Sequence, residues 1–236
     1  KQVFTFGRIR CSRSPEYAEV FRDQYTTQEL TIFDLFPKKH KGGGQTAEDF
    51  IIERTLHRPR DVLQFTNEAF ALAAGRERVS WRTLLAAEST YSAKRLKSLF
   101  EEWYEIFPNL DIAIEILRGL PISFTRSSLN ENRVENVWSN LCDSKKADIL
   151  SESAKKLLQG SNGFTEADLV NRILCVLYQV GAISIKISST GSFQWSHIDQ
   201  PTISPSEAKR ANRLKVHKML TRTLEIQDES NRFRPR

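Results

Sequence analysis

The sequence TEADLVNRILCVLYQVG, residues 165–181, predicts a capped helix, because Thr165 precedes apolar residues at helical spacing. AISIKIS (182–188) and FQWSHI (193–198) follow it across the turn STGS (189–192), and both alternate as paired strands do. A helix followed directly by a β-hairpin is typical of a winged helix. We therefore expect a winged-helix domain in this part of the chain.

Most of the chain before this segment carries helix patterns. The predicted helices cover residues 15–25, 26–36, 46–56, 59–75, 80–90, 91–106, 109–121 and 124–141. Only VFTF, residues 3–6, has strand character there, and residues 205–226 return to helix. We expect a mainly α protein, with a helical bundle at 1–119 and a winged-helix domain at 120–236. The second domain would include the short β-hairpin and a basic C-terminal helix and tail.

The composition is that of a globular protein. Of the 236 residues, 39% are apolar and 27% are charged, which excludes the disordered and collagen-like classes. No run approaches the ~18 apolar residues of a membrane span, and the N-terminus has no apolar signal-peptide core. We expect a cytoplasmic protein without membrane contact. Because the first residue is Lys1 and not Met, we expect a processed chain or a piece of something longer.

The patterns of cysteine and histidine predict no metal centre. The three cysteines lie far apart and form no CxxC pair, which indicates reduced structural thiols: Cys11, Cys142 and Cys175. The four histidines share no spacing typical of zinc ligands or of a general base with its partner: His40, His57, His197 and His217. No GxSxG motif is present. We expect no catalytic residue and no metal in this chain.

The most informative local motif is RPRDVL, residues 58–63, which starts one helix just after another. Pro59 suits the first helical turn because its φ is fixed. A helix N-terminus attracts anions, and Arg58 and Arg60 add two guanidinium groups there, which favours a phosphate ligand. The alternative is that both arginines pair with nearby carboxylates, such as Glu53, Asp61 or Glu68.

This motif resembles the Arg/Asn-Pro-Arg-hydrophobic signature that opens a lid helix in bacterial P-loop ATPases of the AAA+ and STAND type. The wider sequence, roughly residues 30–225, is similar to the C-terminal region of that class in TIFDLFP, IIERTLHRPRDVLQFTNEAFALA, SWRTLLAAESTYSAKRLKSLFEEW, LYQVGAISIK and KVHKML. The resemblance implies a lid-like first domain, with Arg60 reaching the γ-phosphate and Arg58 helping it. It also implies an oligomeric switch in defence against phage, or a nucleic-acid-associated motor.

The chain lacks the motifs that bind the nucleotide itself. It has no GxxxxGK[ST] sequence and no hydrophobic strand ending in a Walker B acidic pair. We therefore expect that it holds no cofactor by its own residues and does not hydrolyse ATP alone. ATP and Mg²⁺ would be held by an ATPase core in the same polypeptide or in another subunit.

Positive charge is concentrated at the C-terminal end. The net charge is +6, and residues 206–236 hold nine Lys and Arg against four Asp and Glu. Such a segment binds phosphates through counterion release, or it is a solvated helix with a basic end. The candidate residues for non-specific DNA or RNA contact are Lys186, Lys209, Arg210, Arg213, Lys215, Lys218 and Arg222.

Sequence-specific DNA recognition by the helix at 165–180 is not expected. It offers only three side chains suited to reading bases, Asn171, Arg172 and Gln179, and it is apolar around most of its circumference. We expect a packing or docking role for it.

The leading hypothesis is a regulatory segment that senses the nucleotide of an ATPase and couples it to a partner or a nucleic acid. One alternative is a stand-alone winged-helix protein that binds nucleic acid. Another is a purely structural protein-interaction module.

Overall fold

The computed structural model describes residues 32–38 and 44–228, and it is mainly helical with a small antiparallel sheet, as expected. The α-helices are α1 Ala47–Ile52, α2 Pro59–Leu72, α3 Trp81–Trp103, α4 Leu110–Ala113, α5 Glu131–Asp143, α6 Ile149–Leu158, α7 Glu166–Gln179 and α8 Pro205–Arg210. Short 3-10 helices cover Ile32–Leu35, Ile114–Leu117, Arg126–Ser128, Ser161–Gly163 and Lys218–Leu220. The strands are β1 Ser123–Phe124, β2 Ile183–Lys186 and β3 Arg213–Val216.

The helix starts follow the capping residues in the sequence. Thr46, Ser80 and Thr165 each accept a backbone hydrogen bond from the third residue of the helix that follows, which satisfies one of the free N–H groups at a helix start. Pro59 is the first residue of α2, as predicted. These caps confirm the predicted starts of α1, α2, α3 and α7.

The predicted pairing of residues 182–188 with 193–198 is confirmed at one antiparallel bridge and is wrong over the rest of its length. β2 instead pairs with β3, with Ile183 opposite Val216 and Lys186 opposite Arg213. Residues 193–198 contribute a single bridge, from Gln194 to Ile185. The strand pairing ends at this bridge. The next residue, Trp195, donates its backbone N–H to the Asp199 carboxylate at 2.7 Å, and the chain turns there.

The predicted helix at 205–226 is also wrong beyond Arg210, where α8 ends. The next residues form β3, in which Leu214 and Val216 are buried and Arg213 is exposed. That alternation has the period of a strand rather than of a helix. β3 is the middle strand of the sheet, between β1 and β2.

The buried apolar residues form one continuous core that extends from Phe36 to Ile226. Backbone hydrogen bonds join the chain near residue 119 to its C-terminal end, because the N–H of Gly119 donates to Leu224 and that of Gln227 donates to Leu120, each at 2.8 Å. The boundary proposed between 119 and 120 stays a prediction. Within the described residues, no helix is both long enough and apolar enough to cross a membrane.

Some predictions lie outside the described residues. They are the helix at 15–25, the strand at 3–6, most of the helix at 26–36, Cys11 and His40. Cys142 and Cys175 are free thiols. Burial raises the pKa of Cys175 to about 11, so its thiol is protonated and unreactive at neutral pH.

Candidate functional site

Arg58 and Pro59 form the start of α2. Arg58 is the N-cap residue with an extended backbone (φ −98°, ψ 131°), as expected for a residue before proline. Arg60 lies exposed on the first helical turn. α2 packs on α3, where the ring of Phe65 stacks on that of Tyr91 at 4.6 Å between centroids. The core therefore fixes the position of this helix start.

Arg58 is tied to a carboxylate at the far end of α3. Its Nη1 lies 3.1 Å from Glu102 Oε2, and Arg95 donates to both oxygens of the same carboxylate at 2.9 and 3.2 Å. Burial works to raise the pKa of Glu102, but the hydrogen bonds and charges of Arg95 and Arg58 outweigh it and lower that pKa. Arg58 thus follows the carboxylate-pairing alternative, although its partner differs from the three carboxylates considered.

Those three carboxylates have other cationic partners. Asp61 lies 3.6 Å from Arg95, Glu68 lies 2.6 Å from Lys94, and Glu53 lies 2.5 Å from Lys218. Arg60 makes no hydrogen bond and no ion pair within residues 32–38 and 44–228. Of the two candidate nucleotide-sensing residues, Arg60 is therefore the one whose guanidinium is available to a ligand.

A buried ion network joins the first helices to the C-terminal segment. Glu88 on α3 is 1% exposed and contacts Arg54 at 2.5 Å and Arg222 at 2.8 Å. Beside it, the hydroxyl of Ser92 donates to the carbonyl of Met219 at 2.7 Å. Arg222, a candidate nucleic-acid contact, is thus held by a buried carboxylate.

Three candidate basic residues share one face of the sheet. Lys186 and Arg213 are directly paired, and Lys215 is paired with Ser184, two residues before Lys186. Directly paired residues point to the same side of a sheet, and so do residues two apart on a strand. The Nζ of Lys215 also lies 5.9 Å from the ring centroid of Phe193. We call Lys186, Arg213 and Lys215 the basic sheet face.

The remaining candidates separate into two groups. Lys209 and Arg210 are exposed in the last turn of α8. Like the basic sheet face, they have no salt bridge in the described part of the chain. Lys218 and Arg222 are held by Glu53 and Glu88. The structure thus leaves five of the seven candidates without an ion-pair partner among these residues.

Helix α7 is largely buried, as the sequence analysis predicted. Asn171, one of its three base-reading candidates, is 3% exposed, and Arg172 and Gln179 are half-buried. The rest of its buried surface is apolar and lies in the core. A helix in this environment cannot reach the base edges of DNA.

Three histidines that are distant in sequence meet in the structure. The His197 ring lies 5.6 Å from both His57 and His217, and Trp195 lies 5.0 Å from His217. Burial lowers the pKa of His197 to about 4 and that of His217 well below its ordinary value. No spacing in the sequence could reveal this cluster. The described residues contain no group of three or more ligands suited to a metal ion.

A pocket of about 200 Å³ opens beside Arg58 and His197. It is lined by Leu56, Arg58, Trp103, Gln179, Val180, Gly181, Ser196, His197 and Pro201. Pockets for small molecules usually measure about 300–1,000 Å³. We therefore assign no cofactor to it.

Residues 13–100 match the family model of the FunZ-associated C-terminal helical domain. The matched range contains α1, α2 and most of α3, and with them Arg58 and Arg60.

Two curated proteins are also similar to this chain. A putative transposon gamma-delta 80.3 kDa protein of Escherichia coli (strain K12) is 28% identical over 181 residues, which are 76% of this chain and 23% of that protein. Allergen Alt a 2 of Alternaria alternata is 31% identical over 109 residues, which are 45% of this chain and 54% of the allergen. The chain thus spans about a quarter and about half of these relatives. No solved structure matches it.

Proposed function

We propose that this chain is the regulatory, nucleotide-sensing C-terminal segment of a P-loop ATPase of the AAA+/STAND type. The observation that carries the proposal is Arg60, an exposed guanidinium without an ion-pair partner in the described residues, on the first turn of a 14-residue helix. Helix N-termini and guanidinium groups both favour phosphate. The match to a C-terminal helical domain supports a place within a longer protein.

In this proposal the chain supplies a sensor and no catalytic residue. ATP and Mg²⁺ are bound by an ATPase core in the same polypeptide or in another subunit, and Arg60 contacts the γ-phosphate. Movement of α2 is passed to α3 through the stacked rings of Phe65 and Tyr91. It then reaches the C-terminal segment through Glu88 and Arg222. The protein acts as a cytoplasmic, oligomeric switch of the kind used in defence against phage.

The test compares Arg60→Ala with Arg82→Ala in the full-length protein. Arg82 is a matched control because it is also exposed and is also the second residue of its helix, α3. Fluorescent ATP and ADP analogues are titrated into each protein. We expect Arg60→Ala to weaken ATP binding about 10- to 100-fold, the loss of one charge-assisted hydrogen bond, with a smaller effect on ADP. Arg82→Ala should bind as wild type does. Equal behaviour of the two variants contradicts the proposal.

A second candidate function is non-specific nucleic-acid binding by a winged-helix domain. The basic sheet face favours it, because its three cations have no salt bridge in the described residues. The order of elements from α7 through β2 to β3, and the position of β1 on the other side of β3, support the winged-helix interpretation. One relative is named as a transposon protein, and a transposon is a DNA element.

A further inference from the structure

A polar groove runs between α5 and the segment made of α4 and the 3-10 helix that follows it. Its volume is about 640 Å³. Three asparagines of α5 line it: Asn132, Asn136 and Asn140. The other residues of the lining are Asp111, Ile112, Glu115, Arg118, Asn130, Arg133 and Val137. The groove lies outside the α2 start and outside the basic sheet face.

The three asparagines form a ladder of available carboxamides. The side chains of Asn132 and Asn136 make no hydrogen bond among the described residues. Asn140 uses only its Nδ2, which donates to the main-chain carbonyl of Asn136 at 2.7 Å. A carboxamide offers one acceptor oxygen and two donor hydrogens. Each can therefore pair with both a carbonyl and an N–H of a peptide main chain.

The spacing of the ladder matches an extended polypeptide. Residues four apart on an α-helix are about 6 Å apart along the helix axis. An extended chain repeats every two residues, or about 6.6 Å. Successive carboxamides can thus meet successive main-chain groups on one side of an extended segment. From Asn132 to Asn140 the ladder covers about 12 Å, which is roughly four residues of such a segment.

The charges of the groove favour a neutral ligand over a phosphate backbone. Two arginines offset Asp111 and Glu115 in the lining, and Arg118 already contacts Glu115 at 2.6 Å. Arg133 donates to the carbonyls of Ile116 and Arg118. Binding to DNA or RNA depends on available cations, and none of the described residues that line the groove has an aromatic ring to stack on a base or a sugar.

We propose that this groove binds an extended segment of a partner polypeptide, which the asparagine ladder recognises by its main chain. The ligand sequence is loosely constrained, because the contacts are made to atoms that every residue has. The proposal does not depend on nucleotide sensing by Arg60.

The probe is a fluorescently labelled pool of random dodecapeptides, because recognition of the main chain selects no particular sequence. The pool is titrated by fluorescence anisotropy against the full 236-residue chain as wild type, Asn132→Ala/Asn136→Ala and Asn67→Ala. Asn67 is a matched control because it is an exposed asparagine on another helix, α2. We expect the double variant to bind about tenfold more weakly, and Asn67→Ala to bind as wild type does.

Two further readouts separate main-chain recognition from other causes. N-methylation of alternate amides in the peptide should abolish binding, and the affinity should change little with salt. Asn132→Asp/Asn136→Asp keeps the side-chain shape but removes the donors, so it should weaken binding even if the alanine variant is poorly folded. Failure of the pool to bind wild type, equal binding by all variants, or displacement of the peptides by oligo(dT) in a salt-dependent manner would each overturn the proposal.

Discussion

Beside α3 two arginines are buried against carboxylates, whereas the cations of the basic sheet face have no such partners among residues 32–38 and 44–228. Arg54 and Arg95 are 2% and 0% exposed, and their carboxylates are Glu88 for the first and Asp61 and Glu102 for the second. Arg213 is exposed. The partner of a basic residue, rather than its type, therefore decides whether its charge is available to a ligand.

Arg60 combines features of both regions. It belongs to the helix that packs on α3, but its guanidinium has no partner in the described part of the chain. Arg58, two residues earlier, is tied to Glu102. The buried ion pairs of Arg54 and Arg95 hold the backbone around α2 in place. They therefore position the guanidinium of Arg60 without pairing with it.

The largest effect is expected at Glu88. Replacing it in Glu88→Gln leaves Arg54 buried without its counter-charge, so the free energy of unfolding should fall by about 3–5 kcal/mol. Urea denaturation measures it. Glu101→Gln is the control, because Glu101 pairs only with Lys97 at 3.9 Å on the surface, and it should change stability by less than ~0.5 kcal/mol. If the two variants lose equal stability, the network around Glu88 is not a structural one.

The next effect concerns DNA binding by the basic sheet face. A triple variant, Lys186→Ala/Arg213→Ala/Lys215→Ala, should reduce the slope of log K against log salt by about 2.7 for duplex DNA, the contribution of three phosphate contacts. Fluorescence anisotropy of labelled duplex measures it. The control makes the same change of charge elsewhere, at the exposed residues Lys145, Lys155 and Lys156. Equal slopes for both triples would show that general charge, and not this face, binds DNA.

A smaller effect follows from the histidine cluster. Burial, with the charges of His57 and Arg58, lowers the pKa of His197 to about 4, and Asp199 opposes the shift weakly. The folded protein therefore binds fewer protons than the unfolded chain below pH 6.5. The contribution of the neutral His197 to the free energy of unfolding is therefore fully present above about pH 6.5, and it is lost as the pH falls towards 4.

The variant His197→Phe isolates that loss, because it keeps a ring near Trp195 and removes the titrating group. Between pH 7 and pH 5, wild type should lose on the order of 1 kcal/mol more unfolding free energy than the variant, allowing for the partial exposure of His197. Urea denaturation at both pH values measures this. If both proteins lose the same amount, His197 is not neutral in the folded state.

The smallest effects are expected for the stability of the two α2 variants. Arg58→Ala removes a half-exposed ion pair and should cost at most ~1 kcal/mol of unfolding free energy. Arg60→Ala removes no side-chain hydrogen bond or ion pair among the described residues and should cost less than ~0.5 kcal/mol. Thermal and urea melts measure both. A larger loss in Arg60→Ala than in Arg58→Ala would mean that Arg60 has a structural partner.

The helices were predictable where local signals act within one turn. Pro59 and the caps at Thr46, Ser80 and Thr165 fix helix starts through contacts three residues away. α6 was missed although Asp148 forms a similar capping box with Ser151. β3 was mistaken for helix because four residues rarely distinguish the two periods, and its partner strand lies far away in sequence.

The candidate site was predictable only in part, because ion pairing is not local. The motif at 58–63 located a helix start correctly, but the partner of Arg58 lies 44 residues away. The contact of His57 with His197 and the ion pair of Arg222 with the buried Glu88 depend on packing between distant helices and loops. Caps and periodicity carry no information about these contacts.

Hydrogen exchange of the full-length protein, with a non-hydrolysable ATP analogue and with ADP, tests directly whether Arg60 senses the nucleotide. Of residues 59–62, Pro59 has no N–H, and the N–H groups of Asp61 and Val62 donate to the carbonyl of Arg58. We expect the remaining amide, that of Arg60, to exchange more slowly with the ATP analogue, because phosphate contact covers it. Arg60→Ala should remove the difference. Identical exchange of the Arg60 amide in both nucleotide states would contradict nucleotide sensing at this helix start.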